Sequence, residues 1–527
     1  PLLVGALFAD VLFAGARIIQ RDELHFLVPL AERVGRAWGG SSFLWDGGSG
    51  AGGPLLARWV PSALYPPHLL FAVMEPAWAS SLLLIAHLAL AGVATTLLAS
   101  RYTSSTFAAW LAGAAYALGG YVITLAGSGP YLYSAALAPL SIWLLHRLVE
   151  RPCLRRSVAV AGVWGLQLLV GDPQTFLFSV LLGVPLALAA AGALVPLRWR
   201  NLRWPLAWLS LAAVVAMGIA AGQLLPTLEF TALSTRAGGL PYSEATRWSL
   251  HPLRMSEVVV PGLFGSQATH NTFWGGAWVR GGSQPWALGL HIGTLSLAGL
   301  SLLSLRRRAP GRGWLVAAGV TLLLSLGAYT PLYQLVHRLP VVGAFRYPAK
   351  HWVFVSLSLA LLGAVGLSRL ASTAEGEIRR LWRRLSLVLA ALLVLTGGAW
   401  LLFRSQSLLA LVAAWSPAVD ARAALDASAA AALRAFGVGA VLTIVISLRA
   451  HLRPRLFMLL VVLVVVTDLF TAGLRLRLTG EARWLREPPA LCAALPPPRA
   501  GLAPVIYRPG LPFRGGPGKN ARSPAEA

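Results

Sequence analysis

Acidic residues are scarce in this chain. Its 527 residues hold 19 Asp and Glu against 44 Lys and Arg, and only 12% are charged at all. A soluble domain carries about twice that charged fraction, so a string of soluble domains is excluded. Lysine is rarer still. Lys350 and Lys519 are the two in the chain, so a net charge of +25 is nearly all arginine. The arginines stand in short clusters between apolar runs, not on one face or tail. That excludes a nucleic-acid partner and points to an anionic membrane surface. Cysteine is limited to Cys153 and Cys492, which gives neither a disulfide framework nor metal-type spacing. The chain begins at Pro1 with no basic n-region or cleavage site. No signal peptide is expected, and the first helix is expected to lack a few residues.

What is present is apolar sequence. Hydrophobic residues make up 57% of the chain, and the mean hydropathy is +0.67. Apolar runs of about 18 residues or more recur, the length that crosses a bilayer as a helix. The expected fold is an all-α polytopic membrane protein with about thirteen transmembrane helices. Their cores fall near 2–19, 79–100, 106–126, 131–149, 156–171, 173–194, 204–223, 285–304, 312–329, 350–370, 384–403, 429–448 and 455–473. Short loops rich in arginine alternate with loops that have none, such as Gly127-Ser128-Gly129-Pro130. Arginine-rich short loops mark the cytoplasmic side. The N-terminus is then cytoplasmic and the C-terminus external, with the two cysteines on opposite sides. Residues 1–473 form the membrane domain, with external loops 20–78, 224–284 and 330–349. The Pro- and Arg-rich tail 474–527 reads as external, and truncated or partly disordered.

The first external loop opens with Arg21-Asp22-Glu23. Two adjacent acids thus stand where a membrane helix meets water, which is where a membrane enzyme keeps a base. The plain alternative is a helix-end pair with Arg21. Phe26, Leu27, Leu30, Ala31, Val34 and Trp38 follow at helical spacing, with Glu32, Arg33 and Arg36 between them. That pattern predicts an amphipathic helix lying in the interface.

The second loop collects groups suited to sugars, among them Tyr242, Trp248, His251, His270, Asn271, Trp274, Trp278, Arg280 and Trp286. His270 and Trp274 are taken as substrate contacts, against an aromatic belt at the interface. Glu229 and Arg236 either contact substrate or pair with each other. Arg346 and Lys350 are four residues apart at a helix start, where the helix dipole also favours an anion. Snorkelling to lipid headgroups is the alternative. Asp172 and Gln174 lie in a Gly-Asp-Pro-Gln turn. Asp172 is suited to cap the next helix and also to line a cavity. Asp10 and Asp468 fall within apolar spans, where acids are costly. His251, Glu257 and His270 lack metal-ligand spacing, so no metal and no cofactor is expected.

Six stretches occur in a telling order: "RDELHFLVP", "FLWDGGSGAGGPLL", "LYPPHLL", "GDPQTFLF", "LLPTLEFTALSTR" and "FRYPAKHWVF". Together they resemble the bacterial YfhO-type membrane proteins, which are similar to the GT-C class of glycosyltransferases. The resemblance covers residue 1 to about 475. It implies transfer of a sugar from a polyprenyl-phosphate carrier to an envelope glycan, lipid or protein, on the outer face of the bacterial cytoplasmic membrane. It also implies that an acid of the first external loop is the base, here Asp22 with Glu23 beside it. Arg346 and Lys350 match the residues that hold the carrier phosphate. A single base predicts inversion by direct displacement. The competing functions are a transporter or flippase of a lipid-linked saccharide, and a non-enzymatic envelope-assembly protein. Asp10 and the turn at 171–173 are the features that favour transport.

Overall fold

The computed structural model describes all residues except 48–51, 193–198, 267–271, 282–283, 294–310, 373–389, 418 and 484–527. Nine described helices are long and apolar enough to cross a membrane. They are Pro76–Ala99, Thr106–Gly127, Gly129–Glu150, Pro173–Ala190, Asn201–Ala232, Arg312–Tyr329, Pro348–Arg369, Ala421–Ser447 and Pro454–Leu476. A tenth is possible if Ala390–Leu402 and Gln406–Trp415, bent by 76°, form one broken span. The strands among the described residues are two short antiparallel pairs. The chain is therefore an all-α multi-pass membrane protein.

The helix starts follow local chemistry. Proline stands in the first turn at Pro76, Pro173, Pro331, Pro348 and Pro454. There its missing N–H costs nothing and its fixed φ suits the helix. Ser105, Ser405 and Asp420 accept hydrogen bonds from first-turn amides, satisfying donors the helix cannot. Within the bundle, Gly92 and Gly113 let the helices Pro76–Ala99 and Thr106–Ala117 approach closely. A Cβ on Gly113 would collide with Thr96 Oγ1 and the Gly92 carbonyl. Lipid offers no hydrophobic drive between helices, so small residues at crossings supply tight van der Waals packing instead.

Four expected spans come out differently. Residues 2–19 are not one helix: Leu2–Leu7 and Ala9–Phe13 are separated at Phe8, and Ala16–Ile18 is a strand. That strand pairs with Thr479–Glu481, and Asp10 accepts hydrogen bonds from Arg477 and from Thr479 Oγ1, the latter at 2.7 Å. Asp10 thus fastens the start of the chain to the end of the last span. Leu154–Leu169 has 16 residues, short of the roughly 20 needed to span. The core at 285–304 lies mostly outside the described residues, and that at 384–403 has its first six residues outside them and is then part of the bent pair.

The stretch expected to form the interfacial helix is α-helical over Val28–Trp38. Its apolar stripe of Leu30, Ala31, Val34 and Ala37 is buried against protein, with Gly35 against the Phe71 backbone. Glu32 and Arg36 pair on the exposed face at 3.4 Å.

The loops converge at one end of the bundle. Trp248 N–H donates to the Arg280 carbonyl, Tyr347 N–H to Ala245 and Leu240 N–H to Gly343. Arg21 donates to the Trp286 carbonyl. Trp59 Nε1 donates to the Leu168 carbonyl at 2.8 Å, ahead of the 171–173 turn.

Candidate functional site

The site grows from two backbone features. Arg21 is held at φ 52°, and Tyr347 at φ 74°. Both are non-glycine residues in the left-handed region, and Trp248 at 54° is a third. These three are among only five such residues described, and they share one cluster. Trp248 and Tyr347 have ring centroids 4.3 Å apart, and Trp286 lies 5.2 Å from Tyr347. Arg21 sits over the Trp286 ring at 5.5 Å. Strain of this kind persists only where surrounding structure enforces it, and it gathers at functional sites.

Lys350 is the centre of the cluster. It follows the Tyr347-Pro348 turn, so its side chain leaves the first turn of the span Pro348–Arg369 beneath the aromatic rings. Its ammonium lies 4.0 Å from Asp172 Oδ1 and 4.0 Å above the Tyr131 ring. Trp286 and Tyr347 each lie 5.6 Å away. The Lys350 side chain is only 11% exposed, so its charge is poorly screened.

Asp172 is buried at the N-cap position of Pro173–Ala190. Burial pushes its carboxyl up, and the nearby Lys350 charge opposes that rise. Gln174 is buried beside it, with Nε2 3.3 Å from His351 Nε2.

Arg346 is half-exposed and donates to Glu244 at 3.2 Å, with its guanidinium 4.6 Å over Tyr347. Glu244 also holds Arg247 at 3.4 Å. Arg236 is exposed, yet its charge is felt by Arg346, Glu244 and Tyr131. Arg21, Arg236, Arg247, Arg346 and Lys350 thus face Asp22, Asp172 and Glu244. Five cations meet three carboxylates, an excess of positive charge that one phosphate group would balance.

The two acids of the first loop separate. Asp22 is exposed and starts the π-type turn Glu23–Leu27, and its charge acts on Arg21 and Tyr131. Glu23 points inward, 1% exposed, and accepts a hydrogen bond from Ser80 Oγ. Burial pushes its carboxyl up to about 7, the Ser80 hydrogen bond pulls the other way, and the neighbouring Asp22 charge adds to the rise. Asp22 is placed to meet a substrate hydroxyl, whereas Glu23 is turned inward against Ser80.

Of the other expected contacts, Glu229 lies on an exposed face of Asn201–Ala232 and has no recorded pair with Arg236. Trp274 is buried among Phe264, Trp278 and Phe403, and its Nε1 donates to Ser428 at 3.0 Å. Its ring faces are taken up by protein, so as a sugar platform it is corrected to a packing residue. His270 lies outside the described residues. Glu257 forms a buried ion pair with Arg254 at 2.6 Å. Sequence reasoning missed Arg21, Tyr131, Glu244, Arg247 and Tyr347 as site members. Tyr131 alone had a usable signal, since it follows the basic-free loop Gly127–Pro130.

No family model and no curated protein matches the sequence. Solved structures that match include two of ArnT from Cupriavidus metallidurans. The one bound to undecaprenyl phosphate is 16% identical, covers 92% of this chain and 77% of its own, and has a TM-score of 0.43. The apo form is 15% identical, covers 90% and 76%, and scores 0.44. Likeness at that level assigns neither a residue nor a reaction to this chain.

Proposed function

We propose that the protein is a membrane glycosyltransferase that moves a sugar from a polyprenyl-phosphate carrier to an acceptor outside the cytoplasmic membrane. One observation carries this reading. Arg21, Arg236, Arg346 and Lys350 converge at the start of a membrane span, and an exposed acid, Asp22, is the residue after Arg21. The order of motifs shared with YfhO-type proteins points the same way.

The chemistry asks for three things. The donor's phosphate carries negative charge and must leave as more charge builds on it. Lys350 and Arg346, beside a helix start, stabilise that charge in a site with little water to screen it. The acceptor hydroxyl must lose its proton, and Asp22 is the accessible carboxylate that takes it. The bond from the anomeric carbon to phosphate breaks as the bond to the acceptor oxygen forms, and the carrier phosphate departs with the electron pair. One base and no second nucleophile give inversion. The lipid tail stays among the spans while its phosphate reaches their ends. Trp286, Trp248, Tyr347 and Tyr131 pack as an aromatic cluster around the Lys350 ammonium and Arg21.

The two features that favour transport also have packing roles in the fold. Asp10 is held by Arg477 and Thr479 at the end of the chain's last span. The 171–173 turn is packed against the Trp59 carbonyl, with Gly171 at φ 89°.

The test is turnover by purified protein in lipid with a panel of polyprenyl-phosphate sugars, following release of free polyprenyl phosphate. One donor turned over in the presence of its acceptor supports transfer. Binding of polyprenyl phosphate with no turnover of any donor, across glycan, lipid and protein acceptors, rejects it in favour of transport or envelope assembly.

A further inference from the structure

Behind Asp22 lies a small cavity of about 30 Å³, lined by Glu23, His68, Ser80, Tyr133 and apolar neighbours. Two buried polar atoms have no hydrogen-bond partner there, Glu23 Oε2 and His68 Nδ1. Glu23 is 1% exposed and His68 5%. A cavity needs only about 10–15 Å³ and two to four polar partners to hold a water molecule. An orphaned buried polar atom is otherwise costly, so one water satisfies both.

The hydrogen positions follow from the neighbours. The backbone carbonyls of Ser62 and Pro61 lie against the His68 ring and take its N–H, which leaves Nδ1 as an acceptor. Burial holds that ring neutral, its pKa pushed down to about 3. A water can donate to Nδ1 and accept from Glu23, and burial of Glu23 at 1% exposure favours the carboxylic acid form that supplies that donor. No cation pairs with Glu23 among the described residues. The titratable groups around it are Asp22 on its own turn, His68 and Tyr65 from the turn before Leu70, and Tyr133 from Gly129–Glu150. His87, one step further in, is hydrogen-bonded to Tyr65 at 2.7 Å and to the Leu83 carbonyl. The polar track stops there, so it holds a proton rather than conducting one.

We propose that Glu23 is a positioning residue for Asp22: it keeps a proton on Oε2 and, through one water in this cavity, hydrogen-bonds His68 Nδ1, pinning the turn that carries Asp22. The pin exists whatever Asp22 does, while its value to catalysis rests on the proposed transfer reaction. Ionising Glu23 would place a second negative charge beside Asp22 in a buried pocket and release the turn. The carboxyl's rise to about 7 sets the pH at which this happens.

Infrared difference spectra of the parent against Glu23→Gln test the proton directly. The parent shows a protonated-carboxyl band at about pH 6 that is lost by about pH 8. Turnover in the parent falls about tenfold over the same range, as the protonated fraction of a group titrating near 7 does. Glu23→Gln keeps the neutral hydrogen-bonding amide, so it retains activity and loses that alkaline fall. A merely structural Glu23 would leave the pH profile unchanged. His68→Leu is the second variant and moves the band's titration to lower pH by removing the acceptor. A missing band at pH 6, an unchanged alkaline limb in Glu23→Gln, or an unmoved titration in His68→Leu each overturns the proposal. If no donor turns over in the parent, the band and its shift still decide the pin, and only the role of Asp22 falls.

Discussion

Replacing Lys350 with methionine keeps the apolar stem and removes the ammonium. Two consequences follow from its surroundings. Asp172 loses its one ion-pair partner among the described residues while remaining buried. Breaking a buried pair costs about 3–5 kcal/mol when the remaining charge stays unpaired. The 4.0 Å separation and the upward pull of burial on Asp172 place this case at the low end, because the carboxyl takes up a proton instead. The second consequence is on binding. A charged hydrogen bond to a phosphate in a poorly solvated site is worth about 1.5–3 kcal/mol, or roughly 10–150-fold in affinity. Lys350→Met is therefore expected to lower the melting temperature and weaken polyprenyl-phosphate binding together. Adding Asp172→Asn separates the two, because it removes the stranded acid. The double variant regains its melting temperature but not the parent's affinity, measured in lipid nanodiscs. Parent-like affinity in the double variant would mean that Lys350 serves only to neutralise Asp172, and the anion site would be refuted.

Other positions differ in size and kind of effect. Arg346→Ala removes a half-exposed guanidinium already shared with Glu244, so donor affinity drops by about tenfold or less, and a larger loss than in Lys350→Met would reverse the assigned ranking. Trp274→Ala opens a cavity in the Phe264–Trp278–Phe403 cluster and costs about 3–5 kcal/mol with donor affinity unchanged, so lost binding at unchanged melting temperature would restore it as a sugar contact. Glu23 makes stability depend on pH: its carboxyl titrates near 4.5 unfolded and about 7 folded. Stabilisation is full below about pH 4.5 and falls as pH rises to about 7, by roughly 3 kcal/mol. Glu23→Gln flattens that fall, and a parent whose stability is level over the range contradicts the burial of an uncharged Glu23.

Much of the fold was legible because membrane spans are decided by length and apolarity, which the sequence states outright. Nine of the expected cores coincide with described spans. The stretch 2–19 was not legible in the same way. Apolarity there is satisfied by packing two short helices and a strand against the end of the last span, a tertiary contact made by Asp10 and Arg477. Lys350, Arg346 and Asp172 stood out by rarity and position, and the structure brings them together. Trp274 shows the limit: a buried tryptophan and a sugar platform look alike in sequence, since only the neighbours across the fold decide which faces are free. The opposite fates of Asp22 and Glu23 were hidden for the same reason, because a one-residue step on a π-type turn sends one carboxylate out and the other in.

Binding and turnover measured side by side on Asp22→Asn address the central assignment most directly. Asparagine keeps the size and exposure of the side chain and loses only its ability to take a proton. The expected result is polyprenyl-phosphate binding equal to the parent with turnover reduced by about 10²–10⁴-fold. Equal turnover in both proteins would show that Asp22 is not the base and that the cationic cluster serves some other chemistry.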